Sequence, residues 1–373
     1  MRNDVVRWNP DSGWSGPFPV GHGERTLVLA FGFHDLTDTP EPLAELTAAY
    51  PGAIIAGAST SGLFVGDELS TTGLVASVTT FDTTRLQSHS YPLAQICDPA
   101  VVVRDFGNLS QQPKAVLVIA DGKAVNGDLL VKGLVDVLGP GIPVYGGLAG
   151  DGAQFAATWT LVDGRPATGY ATIVTFRGDD LVVGCGVRGG WHIFGPHRTV
   201  TRSEGCVLHE LDGQPALELY KRYLGDRADG LPGTALLFTL SVRVPGREVA
   251  VVRTVLSIDE STQSMTFAGE LPVGSVATLM RANVDNLISG AADAGAATEA
   301  TSGAVLAVGV SCVGRQIVLG ERAEDELDAA LAELSPEAAF IGFYSHGEFG
   351  PNTDGLSQLH NQTMAIMTLR EGP

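Results

Sequence analysis

The chain has 373 residues, 44% of them hydrophobic and 17% charged, which suits two domains with buried cores and excludes an intrinsically disordered protein. A formal net charge of −19 with no basic stripe excludes phosphate-backbone recognition, so nucleic acid is not an expected partner. Four scattered cysteines, Cys97, Cys185, Cys206 and Cys312, form no CxxC pair and supply neither a disulfide framework nor a zinc motif.

The opening "MRNDVVRWNPDSGWSG" lacks the apolar stretch of a signal peptide. No apolar run approaches the roughly 18 residues that a membrane helix needs. The expectation is a soluble, cytoplasmic protein without membrane insertion. "TLVLAFGF" (26–33) predicts the first strand, and "TPEPLAELTAAY" a helix with Thr39 as cap and Pro40 in the first turn. "AIIAGASTSG" (53–62) predicts a strand and a turn. "GLVASVTTF" (73–81) then predicts a strand partnered by "RLQSHSY" (85–91).

The order returns downstream. "KAVLVIAD" (114–121) reads as a strand and "NGDLLVKGLVDVLG" (126–139) as a helix. "IPVYGGLAGDG" (142–152) reads as a strand and Gly-rich turn, and "TGYATIVTFRGDDLVVGCGV" (168–187) as a strand hairpin. Gly57 and Gly62 fall on Gly147 and Gly152; Thr72, Gly73, Val78 and Thr79 fall on Thr168, Gly169, Val174 and Thr175. This pattern predicts an internal duplication. Beyond the polar, Gly-rich "YLGDRADGLPG" (223–233), strands fit 248–259, 264–271 and 304–312, and helices fit 282–296 and 322–334. "AAFIGFYSHGEFG" (338–350) and "QTMAIMTL" (362–369) close the chain with the N-terminal order of elements. The expected fold class is α/β with mixed sheets, in two domains at 20–225 and 233–370 built from repeated strand–helix–strand–turn–hairpin units.

The chemistry-bearing residues collect in the turns. The turn of Ser59, Thr60 and Gly62 and the turn of Gly147, Gly150 and Asp151 can let a ligand approach the backbone closely, or serve only as tight turns. Neither has the residues of a Walker loop or a dinucleotide fingerprint. His346 and Glu348 alternate along an extended segment and are expected on one face, with His360 joining them across a hairpin. Metal ligation, proton transfer, a structural hydrogen-bond network and polar recognition with Ser345, Asn361 and Gln362 all remain open there. Cys312 could be a nucleophile supported by Arg315, or a buried structural thiol. Arg315 could instead grip a carboxylate. His192 and His197 fall in a predicted Gly/Pro-rich loop.

"AGASTSG", "YGGLAGDG", "VTRSEGCVLHELDGQPALELYKRYLG", "SCVGR" and "GFYSHGEFGP…LHNQTM" together resemble the FIST sensory domain, over about residues 20–370. The resemblance implies an intracellular signal-transduction module binding a small ligand, with amino acids and related metabolites proposed for the family. It also implies a haem-based nitric oxide sensor as an alternative, with His346 or His360 as a candidate axial ligand. An uncharacterised enzyme using His346 and Glu348 is a further alternative. Family members are often fused to output domains; here the expectation is a separate kinase or chemoreceptor-type partner. No catalytic residue and no metal site come with the resemblance.

Overall fold

The computed structural model describes residues 1–21, 23–96, 112–123, 125–152 and 156–372. Cys97 lies outside the described residues. The fold is mixed α/β, as the alternation of apolar strands and amphipathic helices implies. Its described strands form four sheets.

Three of the sheets share one plan. Each contains a parallel pair with a helix in its crossover: Thr26–Gly32 with Ile54–Ser59, Ala115–Ala120 with Val144–Leu148, and Val305–Cys312 with Ala338–Ser345. The helices are Glu41–Ala49, Gly127–Leu138 and Ala323–Leu331. A third strand, Leu74–Thr80, Tyr170–Arg177 or Met364–Glu371, lies antiparallel to the first strand of each pair. The repeat is therefore threefold.

Period-2 alternation explains why the first strands are apolar on both faces. Leu27, Leu29 and Phe31, Leu117 and Ile119, and Leu306, Val308 and Val310 enter one shared core between the three sheets. The alternate residues turn outward onto helices: Val28 and Ala30 pack with Leu43 and Leu46, Val116 and Val118 with Leu130 and Leu134, and Val305 and Ala307 with Leu327 and Ala330.

The hairpin after each second strand does not stay with its own unit. Leu63–Val65 pairs with Ala338–Ser345, Gly347–Pro351 with Val144–Leu148, and Thr160–Val162 with Ile54–Ser59. Each sheet is thus completed by a strand from another unit, in a closed cycle.

Several sequence expectations are corrected here. Leu74–Thr80 and Arg85–Pro92 belong to different sheets, as do Tyr170–Arg177 and Leu181–Arg188, so neither pair is a hairpin. Each later strand instead crosses to an edge of the next sheet. By ladder register Gly57 is equivalent to Gly146 and Gly342, opposite Ala30, Val118 and Gly309, so the identities read at Gly147 lie one residue out of step. Thr39 does not cap its helix; its hydroxyl donates to the Asp35 carbonyl at 3.1 Å, and Pro40 holds the capping position. Arg2–Asn9, too charged to signal a strand, pairs with Leu74–Thr80. The segment with His192 and His197 opens the long strand His192–Glu204 rather than a loop.

That long strand begins the fourth sheet, which occupies residues 192–281 between Leu181–Arg188 and Val305–Cys312 of the third unit. It carries the helix Ala216–Leu224 and its own core, including Val200, Leu217, Tyr220 and Phe267. A charged contact seats it on the rest of the molecule. Arg253 donates to Asp128 at 2.7 Å and to the Leu359 carbonyl at 3.0 Å, and the Glu270 amide donates to Asp128 at 2.7 Å.

Candidate functional site

The three turns that follow the second strands meet. The Ser61 amide donates to the Tyr344 carbonyl at 3.0 Å, the Gly150 amide to Ser59 at 2.9 Å, and the His346 amide to Leu148 at 3.2 Å. Each turn is tied to the end of another unit's strand, so the bonds form a ring. Thr60 lies inside it, its hydroxyl donating to the Tyr344 carbonyl at 3.2 Å and accepting from the Gly62 amide at 3.0 Å. Gly147 and Gly150 are close-approach positions: a Cβ at Gly147 would meet Val310, and one at Gly150 would meet Ser61. The ring gathers Ser59, Thr60, Gly62, Gly147, Gly150 and Asp151 beside Ser345 and His346.

A bend at His346 interrupts the extended segment, and His346 and Glu348 have separate partners rather than a common face. His346 Nε2 lies 3.1 Å from the Gly152 carbonyl and 3.2 Å from Asp151 Oδ1. Burial lowers its pKa, opposed by these two neighbours, which favours the neutral imidazole. Glu348 turns inward. Ser345 Oγ donates to its Oε1 at 2.7 Å, and Thr363 donates to its Oε2 through both amide, at 3.2 Å, and hydroxyl, at 2.9 Å. His360 is the ladder partner of Glu348, and its Nε2 lies 3.0 Å from the Gly350 carbonyl. Among the described residues no group of three His, Cys, Asp or Glu side chains could hold a metal ion.

Glu348 and His360 have opposite proton linkage. Burial pushes the Glu348 carboxyl up to about 7 and brings the His360 imidazole down to about 4. The raised carboxyl contributes stability that is complete below its ordinary value of 4.5 and is lost as pH rises to about 7. The depressed imidazole contributes stability that is complete above its ordinary 6.5 and is lost as pH falls to about 4. Between 4.5 and 6.5 the folded chain holds one proton on Glu348 while the unfolded chain holds one on His360, so the two slopes cancel. Relative to wild type, Glu348→Gln should gain stability with rising pH across this window and His360→Asn should lose it. Each slope should approach about 1.4 kcal/mol per pH unit. Urea unfolding at three pH values reads both, and two variants with the wild-type slope would refute the linkage.

Arg315 does grip a carboxylate, but an internal one. Its Nε and Nη2 donate to Glu326 Oε2 at 2.9 and 2.7 Å, and its other donors reach the carbonyls of Leu287, Gly189 and Gln362. Every N–H of the guanidinium is used within the fold, and the side chain is fully buried. Cys312 is buried too, and burial pushes its thiol far up, with Glu348 adding to the shift. That state is the opposite of an activated nucleophile.

A cavity of about 170 Å³ lies between the inserted sheet and this junction. Cys312, Gly314, His346 and Asn361 face it from one side, and Leu236, Thr254, Leu256 and Ala268 from the other. Of the expected site residues, His346 and Asn361 line it; Ser345, Glu348 and Gln362 are buried alongside, and Asp151 lines a separate cleft with His34 and Asp35. Asn361 donates to the carbonyls of His360 and Ala268, at 3.0 and 3.4 Å, but its buried Oδ1 has no hydrogen-bond partner among the described residues. Gln362 has φ +61°, a conformation few non-glycine residues adopt, and both its side-chain amide atoms also lack partners among the described residues. The inserted sheet's share of the lining was invisible in sequence, because apolar residues on a strand carry no functional signature.

The description "FIST N domain" fits residues 26–214 and "FIST C domain" fits residues 216–351. The chain belongs to the FIST family. The two FIST regions meet inside the inserted sheet, and the cavity takes its lining from the FIST C region together with Asn361, just beyond it. FIST domains are associated with sensory and signal-transduction roles. No curated protein matches the sequence. A crystal structure of cyanuric acid hydrolase from A. caulinodans is similar at 12% identity, covering 78% of this chain and 100% of that one, with a TM-score of 0.20. That overlap carries no argument about this FIST protein. Among its described residues no helix is long and apolar enough to cross a membrane.

Proposed function

We propose that this FIST protein is a sensor of a small metabolite that binds in the cavity between the inserted sheet and the three-turn junction. One observation carries the reading: the buried Asn361 Oδ1, without a partner among the described residues, on the wall of a mostly apolar cavity. A buried polar atom left unpaired costs about 1–3 kcal/mol, which a ligand N–H or O–H would recover. The ligand class is therefore a compact molecule with an apolar body and at least one hydrogen-bond donor.

Among amino acids and related metabolites, uncharged derivatives such as amides suit the site better than zwitterions. Arg315 has no spare donor, Glu348 is enclosed by Ser345 and Thr363, and a neutral His346 offers no charge. Binding would tie the inserted sheet to the junction. A separate kinase- or chemoreceptor-type partner would read that change.

A thermal-shift screen of amino acids, their amides and similarly sized metabolites should find compounds that raise the melting temperature. Asn361→Ala should abolish the response, and Thr254→Val should weaken it. A screen without a hit, or hits that survive Asn361→Ala, would overturn the proposal.

The haem reading has less support. The cavity is smaller than the pockets of about 300–1,000 Å³ that hold drug-sized ligands, and a haem is larger still. His346 Nε2 and His360 Nε2 are both engaged by carbonyls. Purified protein mixed with haem should show no Soret shift that depends on either histidine. A catalytic use of His346 and Glu348 is disfavoured by their separate partners and by the absence of Glu348 from the cavity wall.

A further inference from the structure

A second cleft, of about 490 Å³, opens on the other side of the short helical segment Gly233–Leu237. Its walls hold Arg227, Arg281, Phe194, Phe238, His192 and Asn283. Both arginines are exposed, and each guanidinium lies over a ring: Arg281 is 5.5 Å from the centroid of Phe194, and Arg227 is 5.6 Å from that of Phe238. Stacking fixes the face of a guanidinium and leaves its N–H edge pointing outward, the arrangement that binds oxyanions bidentately.

In this acidic chain several exposed arginines are matched to carboxylates, as Arg202 is to Glu210, Arg222 to Glu218 and Arg322 to Asp285 and Asp325, whereas Arg85, Arg243 and Arg247 have no ion pair among the described residues. Among the described residues neither Arg227 nor Arg281 has an ion pair. Asn283, also on the wall, caps the helix Val284–Ala296, so the positive end of that helix adds to the same field. A single carboxylate is satisfied by one guanidinium, whereas a phosphate dianion has oxygens for two. Phe194 and Leu237, both partly exposed, offer an apolar surface to whatever carries the phosphate.

The geometry points to a second ligand site, one for a small phosphorylated molecule with an apolar or aromatic body. Arg227 and Arg281 hold the phosphate from two sides, and the cleft volume is within the range of small-molecule pockets. The site shares no ligand-contacting side chain with the Asn361 cavity and stands or falls separately from it.

Titration calorimetry on the full chain, at fixed ionic strength, tests this with phenyl phosphate, inorganic phosphate and phenylacetate. Phenyl phosphate should bind saturably at one site, with inorganic phosphate competing more weakly. Arg227→Gln and Arg281→Gln should each lower phenyl phosphate affinity about tenfold, the value of a charge-assisted hydrogen bond or two. Arg202→Gln, on a surface salt bridge elsewhere, should leave it unchanged. No saturable binding of either phosphate would overturn the site. So would an equal loss in Arg202→Gln, which would mean general charge attraction. Phenylacetate binding as tightly as phenyl phosphate would overturn the assignment to phosphate.

Discussion

Arg315→Met should lower the unfolding free energy by about 3–5 kcal/mol, the range found when one partner of a buried ion pair is removed. Against a total stability of about 5–15 kcal/mol this is a large fraction, and the variant should be poorly soluble at 37 °C. The size follows from what is stranded. Glu326 and Arg315 are both fully buried, and Glu326 would keep only Ser311 Oγ, at 3.0 Å, and Tyr344 OH, at 2.8 Å. The carbonyls of Leu287 and Gly189 would each lose their hydrogen bond from Arg315 as well. Adding Glu326→Leu should restore part of the loss, because apolar replacements of a whole buried pair are often neutral. Urea unfolding of the single and double variants decides the matter. A single variant within 1 kcal/mol of wild type, on the same order-of-magnitude scale, would show that the pair is not structural.

The second large effect belongs to the ladder glycines. At Gly57, Gly146 and Gly342 a Cβ would fall inside the radius of a neighbouring strand's carbonyl oxygen, that of Ala30, Val118 and Gly309 respectively. The obstacle is backbone within a paired strand, which cannot rotate away like a side chain. Alanine at any of the three should cost about 3 kcal/mol or more, as overpacking in a close-packed core does. All three should be costly, because the positions are equivalent in the threefold plan; Gly146 adds a φ of +133° and Gly342 a clash with the Phe64 ring. Gly133→Ala, in the helix Gly127–Leu138 with nothing within 4 Å of its Cβ, should stabilise instead, by about 0.5–1 kcal/mol. Melting curves of the four variants give the comparison, and a harmless Gly146→Ala would break the proposed equivalence.

The parts of this fold that could be read in sequence were those set by local rules. "TLVLAFGF", "KAVLVIAD" and "AVLAVGVSC" are strands because both their faces are buried, and unbroken apolar runs of that length say so. Helices form where they were expected, over 126–139 and 282–296, and their caps, Asn126 and Asn283, each accept a backbone N–H at 3.2 Å. Pairing was not legible. Nothing local in "GLFVGDELS" shows that Leu63 will lie opposite Phe343, and the two supposed hairpins failed because each strand had a better partner in another sheet. For the site, the histidine and amide side chains of "SHGE" and "LHNQT" were visible, and they do converge at one junction. The bend that separates His346 from Glu348 and the far wall supplied by residues 232–268 depend on tertiary packing alone.

The cyclic exchange of hairpins bears on how a ribosome must make this molecule. Thr60 and Tyr344, joined in the ring of turns, are 284 residues apart in the chain. The strand Leu63–Val65 emerges long before Ala338–Ser345, and its edge stays open until that partner arrives. Contacts of such long range form slowly and leave the nascent chain prone to wrong pairing. The inserted sheet, which carries its own core, can settle while the rest is still incomplete. Ribosome-bound intermediates should therefore resist protease first within residues 192–281, with the three-sheet body becoming resistant only once Met364–Glu371 is released.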